Sequence, residues 1–266
     1  MQLREVEENV MSNVLVAVDA QSRIATVTLN KQPLNICEQN FYGEIQAAFE
    51  QLNTRRDISV VILNSACKNF CAGGDLSEIQ MCSNEENVAK ISGAAVGCMG
   101  AIYSCKWPVI AAVNGKAIGA GVALAASCDV CIAAEDAVFS LPEITAGYIG
   151  ASEFLQLLLP RRHARYYVFT GDAMTAQEMW RLGGVLEVVP AEKLMERAVT
   201  AARRIADQSP LALAYFKEAM NHNDDERLAK KYMHEATYTL KYNSSYDCKE
   251  TFAAFRERRK PLFRGE

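Results

Sequence analysis

Val109-Ile110-Ala111-Ala112-Val113-Asn114-Gly115-Lys116-Ala117-Ile118-Gly119-Ala120-Gly121 reads as a buried strand that passes through a glycine turn into a helix of small residues. Five consecutive apolar residues without alternation predict a strand covered on both faces, as in a parallel sheet. Gly119 to Ala126 predicts the helix. A helix N-terminus carries unpaired N–H groups and a partial positive charge. Such fixed donors suit a developing oxyanion, because they need no reorganisation as charge appears. Close packing of a helix on a strand explains the same small residues equally well.

Working outward, Val14 to Val18 and Ile24 to Leu29 are β-rich runs split by a polar turn, which predicts a hairpin. Phe41, Ile45, Ala48, Phe49 and Leu52 fall at helical spacing. Val60 to Leu63 is a second buried strand, followed by a polar, glycine-containing stretch and a helix over Glu86 to Tyr103. Trp107-Pro108 stops that helix. Val130 to Ala133 and Val138-Phe139 predict further strands. The pattern is that of an α/β domain with both sheet faces covered. From Glu153 the chain is mostly helical, over Ala191–Ala206, Leu211–Met220, Glu226–Leu240 and Lys249–Arg259, with a brief strand at Val185 to Val189. A boundary between core and helical region is placed near residue 200.

Two other segments carry chemistry. Cys67 to Asp75 follows a buried strand, and its small residues let backbone approach a ligand closely. A simple tight turn fits it as well. In Phe139-Ser140-Leu141-Pro142-Glu143-Ile144, a glutamate sits among apolar residues at a strand end, an environment that suits a carboxyl to proton transfer.

The bulk properties narrow the field. The chain has 266 residues, 28 basic against 32 acidic, for a net charge of −4. That balance gives no support to nucleic-acid binding, which needs a basic surface. No apolar run reaches the roughly 18 residues of a membrane span. The acidic N-terminus lacks a signal core, so the cytoplasm is the expected compartment, and Met11 is an alternative start. Nine cysteines without a secretory signal predict reduced thiols. Cys128 and Cys131 fall in one apolar run that reads as a strand, where positions i and i+3 face opposite ways and do not converge on a metal. His163, His222 and His234 have no metal-ligand spacing, so no metal site is expected. Neither glycine fingerprint of the nucleotide-binding folds occurs.

In order and spacing, these three segments resemble the enoyl-CoA hydratase/isomerase (crotonase) superfamily. The resemblance extends from Ile24 to Lys260, and Thr170 to Ala176 with Leu182-Gly183-Gly184-Val185 looks like the family's helical turn after the active site. It implies a crotonase-like α/β spiral of ββα units with a helical C-terminal region. Residues 1–200 would form the core with the acyl-CoA site, and residues 201–266 a trimerisation region. The partners it implies are an acyl-CoA substrate and further copies of the chain, in a homotrimer or a dimer of trimers. No cofactor is implied beyond the coenzyme A of the substrate.

Residue by residue, Gly74 and Ala120 match the family's oxyanion-hole positions, whose backbone N–H groups hold the thioester oxygen. Ala72, Gly73 and Asp75 lie in the stretch that meets CoA, and Phe255 and Arg258 match positions that reach a neighbouring subunit's CoA. Glu143 matches the second catalytic glutamate of the hydratases, but Ala123 stands at the first. A lone glutamate suffices to move a double bond between the β,γ and α,β positions, so isomerisation is favoured; the alternatives are hydration with a replacement second acid, acyl-CoA hydrolysis or decarboxylation, and, further off, a non-catalytic acyl-CoA-binding protein. The loop after Glu143 is shorter than the family's. Within it, Tyr148 would line the acyl pocket or donate a hydrogen bond. Glu153 would either replace the missing acid or sit at a helix start favoured by the dipole. The remaining pocket walls are expected from Met81 to Met99 and from Tyr148 to Leu155.

Overall fold

The structure is a computed structural model that describes residues 13–81, 84–224 and 228–264. Both candidate starts, Met1 and Met11, lie outside the described residues. The expected hairpin forms from β1 (Val14–Asp19) and β2 (Ile24–Leu29), which pair antiparallel. Next come α1 (Gln39–Thr54), β3 (Val60–Ser65), α2 (Leu76–Gln80), α3 (Glu85–Tyr103) and β4 (Val109–Val113). The site region continues with β5 (Lys116–Ile118), α4 (Ala120–Ala126), β6 (Val130–Ala134), β7 (Val138–Ser140), α5 (Glu143–Ala146) and α6 (Ser152–Leu158). After α7 (Arg161–Thr170), β8 (Ala173–Thr175), α8 (Ala176–Arg181) and β9 (Glu187–Val189), the chain is helical. Those helices are α9 (Leu194–Ala206), α10 (Pro210–Asp224), α11 (Leu228–Asn243) and α12 (Tyr246–Glu257).

A six-stranded sheet runs β1-β2-β3-β4-β6-β9, parallel from β2 onward, and a smaller sheet runs β5-β7-β8. The apolar runs are continuous because both faces of the large sheet are buried. Val61, Leu63, Val109, Ala111, Val113, Cys131 and Ala133 enter the main core with α1, α3 and α4. Their neighbours Val60, Ile62, Ile110, Ala112, Ile132 and Ala134 pack instead against α9. That helix presents Leu194, Ala198, Ala202 and Ala206, spaced by four, so one narrow stripe of mostly small side chains lies close on the sheet. Helix α9 crosses residue 200 unbroken, and the sheet-covering layer therefore extends to Ala206.

Two local expectations change. Cys128 does not belong to a strand; it occupies the bend before β6, and its thiol donates to the Leu124 carbonyl at 3.3 Å. The ladder starts only after Asp129, whose N–H donates to Val109 O and whose carboxylate accepts from Val109 N. Cys131 is buried in β6, where burial pushes its thiol up to about 12. Similarly, the turn read at Thr170 to Ala176 holds strand β8, paired antiparallel with β7. A left-handed Gly171 ends the helix before it, and a Thr175–Glu178 capping box starts the helix after it.

The C-terminal helices fold back over the core. Lys217 of α10 is 5% exposed; its ammonium donates to Asp129 Oδ2 at 2.6 Å and to the Trp107 carbonyl at 3.1 Å. Lys217→Met keeps the aliphatic bulk but leaves Asp129 without its cation. The expected cost is roughly 2–3 kcal/mol, less than for a fully buried pair because Asp129 retains contact with water. Urea unfolding checks it: a midpoint unchanged from the wild type would remove the ion pair from the account of how α10 docks.

Candidate active site

The first donor loop is held by an asparagine. Asn35 is fully buried in the left-handed region, at φ 51°. Its amide donates to Ser65 Oγ at 2.8 Å and to the Phe70 carbonyl at 2.9 Å, and it accepts from Lys31 N at 2.8 Å. These bonds pin residues 31–37 beside residues 70–75. Ala72 N then donates to Leu34 O, Cys37 N to Gly73 O, and Asp75 N to Cys37 O. In this parallel pairing of Cys37 with Gly74, the bonds use Gly73 and Asp75. The Gly74 N–H is left out of the ladder and turns to the other side.

The second donor comes from α4. Gly119 is its N-cap at φ 53°, a left-handed conformation that explains a glycine there, and Ala120 is the first helical residue. The Ala120 N–H therefore has no acceptor within the helix. Backbone bonds join the two segments: Phe70 N to Asn114 O, Cys71 N to Lys116 O and Ile118 N to Cys71 O. Gly121 packs so closely on Cys71 that a methyl group there would lie 2.5 Å from its carbonyl oxygen. Gly74 and Ala120 consequently line one cavity.

Glu143 lines the same cavity. It opens α5 behind Pro142 and is 6% exposed. A methyl group placed on Gly119 would lie 2.8 Å from Glu143 Oε1, so the carboxylate sits against the start of α4. Ala123, one turn along α4, is buried and adds only a small wall. The wall regions expected from sequence supply Ile91, Ser92, Ala95 and Met99 from α3 and Tyr148 to Ala151 with Phe154, whereas Met81 itself is exposed.

The other expected residues lie at the margin of this cavity or outside it. Asp75 borders the cavity but serves as the N-cap of α2. Hydrogen bonds from the Ser77 hydroxyl and from Ser77 and Glu78 N–H hold its carboxyl below the usual range. Ala72 and Gly73 shape the loop behind Gly74 rather than the cavity wall. Glu153 is in the first turn of α6 and borders a separate cleft with Gln156, Arg165 and Phe169. Phe154 points at the cavity, and a helical neighbour stands about 100° around the axis from it. Glu153 is not among the residues that line this cavity. Phe255 and Arg258 are exposed at the end of α12, away from the cavity of their own chain.

Sequence reasoning missed Glu78, Tyr42 and Cys37, which also border the cavity. Glu78 is half-buried and accepts from Gln39 N at 3.2 Å; burial, with Glu38 and Asp75 nearby, holds its carboxyl above the usual range. The spacing Asp75-Leu76-Ser77-Glu78 is a helix-start pattern that would have revealed α2 and placed Glu78 on it.

Comparison with known proteins identifies the family. The enoyl-CoA hydratase/isomerase family model matches residues 19–266. A probable enoyl-CoA hydratase of Rhizobium meliloti is 34% identical, over 96% of this chain and 99% of its own. A Rhodococcus jostii protein named (7aS)-7a-methyl-1,5-dioxo-2,3,5,6,7,7a-hexahydro-1H-indene-carboxyl-CoA hydrolase is 34% identical over 83% of this chain and 85% of its own. The crystal structure of an enoyl-CoA hydratase/isomerase from Pseudoalteromonas atlantica superposes with a TM-score of 0.83 at 25% identity, covering 95% of this chain and 100% of that one. The match spans both donor segments, the glutamate loop and the C-terminal helices, and the chain is an enzyme of the enoyl-CoA hydratase/isomerase family.

Proposed function

We propose that the protein binds an enolisable acyl-CoA thioester and moves a proton on it with Glu143, shifting a double bond from the β,γ to the α,β position. The observation that carries this reading is the convergence of two N–H groups and one deeply buried carboxylate on a single cavity, opposite Ala123. Glu143 takes a proton from the α-carbon, and the electron pair of that C–H bond flows into the thioester oxygen. Gly74 and Ala120 N–H hold the resulting enolate. A proton then returns at the γ-carbon and the conjugated thioester is released, with no water consumed. Glu78 does not compete for this role, since its carboxylate is engaged by the Gln39 N–H at the start of α1.

The same reading includes a trimer or pair of trimers. Phe169, Trp180 and Leu186 stand exposed on the α7–α8 side, and Phe255 on α12. A second reading, addition of water or hydrolysis, is favoured by the hydratase name of the Rhizobium relative and the hydrolase name of the Rhodococcus relative. In it, Glu143 activates water in the space that Ala123 leaves beside it.

The absorbance of the conjugated thioester separates the two. Incubation with a 3-enoyl-CoA is expected to raise it, whereas crotonyl-CoA is expected to give no change. Loss of absorbance with crotonyl-CoA and none gained with the 3-enoyl-CoA would replace isomerisation by the second reading, with release of free CoA thiol marking hydrolysis and its absence marking hydration.

A further inference from the structure

The glutamate is not the cavity's lone proton-bearing group beside the oxyanion helix. Gly147 ends α5 in the left-handed region, at φ 94°, and turns the chain back so that Tyr148 N donates to Glu143 O at 3.0 Å. Helix α12 fixes this reversal from behind: the Cys248 thiol donates to the Gly147 carbonyl at 3.1 Å, and Thr251 packs on Gly147. The reversal carries the Tyr148 side chain over Glu143. A methyl group on Gly119 would lie 3.6 Å from Tyr148 Oη and 2.8 Å from Glu143 Oε1. The phenol and the carboxylate thus converge on one point, immediately before the Ala120 donor, and both line the cavity.

We propose that the Tyr148 hydroxyl is the second catalytic proton carrier of this site, in place of the carboxylate that Ala123 lacks. The proposal rests on the reading of Glu143 as base. The C–H bond at the α-carbon breaks as Glu143 takes the proton and the electron pair enters the dienolate. The Tyr148 O–H bond breaks as its proton forms the new C–H bond at the γ-carbon. The phenolate is recharged by the proton held on Glu143, which restores both groups. With two carriers, removal at the α-carbon and delivery at the γ-carbon fall to different groups, and Glu143 alone remains the slower route that the phenol-free variants would use.

The test is 3-enoyl-CoA isomerisation in D2O by wild type, Tyr148→Phe, Tyr148→Leu and Glu143→Gln, with kcat, KM and the label at the γ-carbon followed. The phenol exchanges with solvent between turnovers, so wild-type product is expected to carry deuterium at the γ-carbon. Both phenol-free variants should lose kcat by about 10²-fold. KM should move less than about threefold for Phe, and substrate hydrogen should appear at the γ-carbon. Tyr148 acting as a wall alone would leave Phe at wild-type kcat and label pattern while Leu raises KM; that result overturns the proposal and leaves the Glu143 reading intact. Retained turnover in Glu143→Gln would instead overturn the base itself.

Discussion

Glu143→Gln is expected to lower turnover by about 10³-fold while leaving acyl-CoA affinity within a few-fold of wild type. Glutamine has nearly the same shape, so the wall of the cavity beside Gly119 is kept. What disappears is the capacity to take a proton at neutral pH. In the proposed site binding would be spared, because it would rest on the Gly74 and Ala120 N–H groups, which belong to the backbone of two other segments of the cavity wall. The comparison that gives the result its meaning is Glu153→Gln. Glu153 stands in a different cleft with Arg165 and Phe169, and its loss should leave kcat unchanged within about twofold. Steady-state kinetics with calorimetric binding of the same acyl-CoA checks both variants. Turnover of Glu143→Gln within tenfold of wild type, or a collapse in Glu153→Gln, would place the base elsewhere.

Sequence reading reaches the backbone framework of this cavity together with Glu143 and Tyr148. Val109 to Val113 and Val60 to Leu63 are continuous apolar runs because both faces of the sheet are covered, and a run of that kind is visible without any tertiary knowledge. The glycine turns after such strands are visible in the same way, while the choice of Gly74 and Ala120 within them is what the family resemblance implies. Tertiary choices are less visible. Strand β8 is three residues long, and what makes it a strand is its partner β7. Helix α2 is five residues long, with no buried side chain to give it a period, so Glu78 was not placed on it. Glu153 looks equivalent to its neighbour Phe154 in the sequence. With Phe154 and Leu155 packed into the core, Glu153 is left half-buried at a different cleft. The convergence of Tyr148 on Glu143 depends on one left-handed glycine held by a helix a hundred residues later in the chain, and no local pattern carries that.

Gly121→Ala is expected to remove activity without touching any side chain of the site. An added methyl would stand 2.5 Å from the Cys71 carbonyl oxygen and 3.1 Å from Cys71 Cβ. That oxygen cannot swing aside, because it accepts from Ile118 N at 2.9 Å in the bridge joining residue 71 to β5. The strain is relieved by moving α4 away from residues 70–74. Ala120 precedes Gly121 on α4, and Gly74 lies three residues beyond Cys71, so the movement separates the two N–H donors. An oxyanion hole acts through donors aimed at one oxygen; misplacing one of them costs about 10²–10³-fold in kcat. Overpacking of this kind also costs about 1–3 kcal/mol in stability. Gly100→Ala provides the control, since Gly100 lies in α3 and a methyl there meets nothing within 4 Å. It should leave kcat unchanged and gain up to about 1 kcal/mol from helix propensity. The decisive measurement is binding of an acyl-CoA whose enolate absorbs in the ultraviolet, such as a 3-oxoacyl thioester. Gly121→Ala should bind it with the enolate band diminished, while Glu143→Gln keeps the donors in place. An undiminished enolate band in Gly121→Ala would mean that the contact between α4 and Cys71 does not set the spacing of the hole.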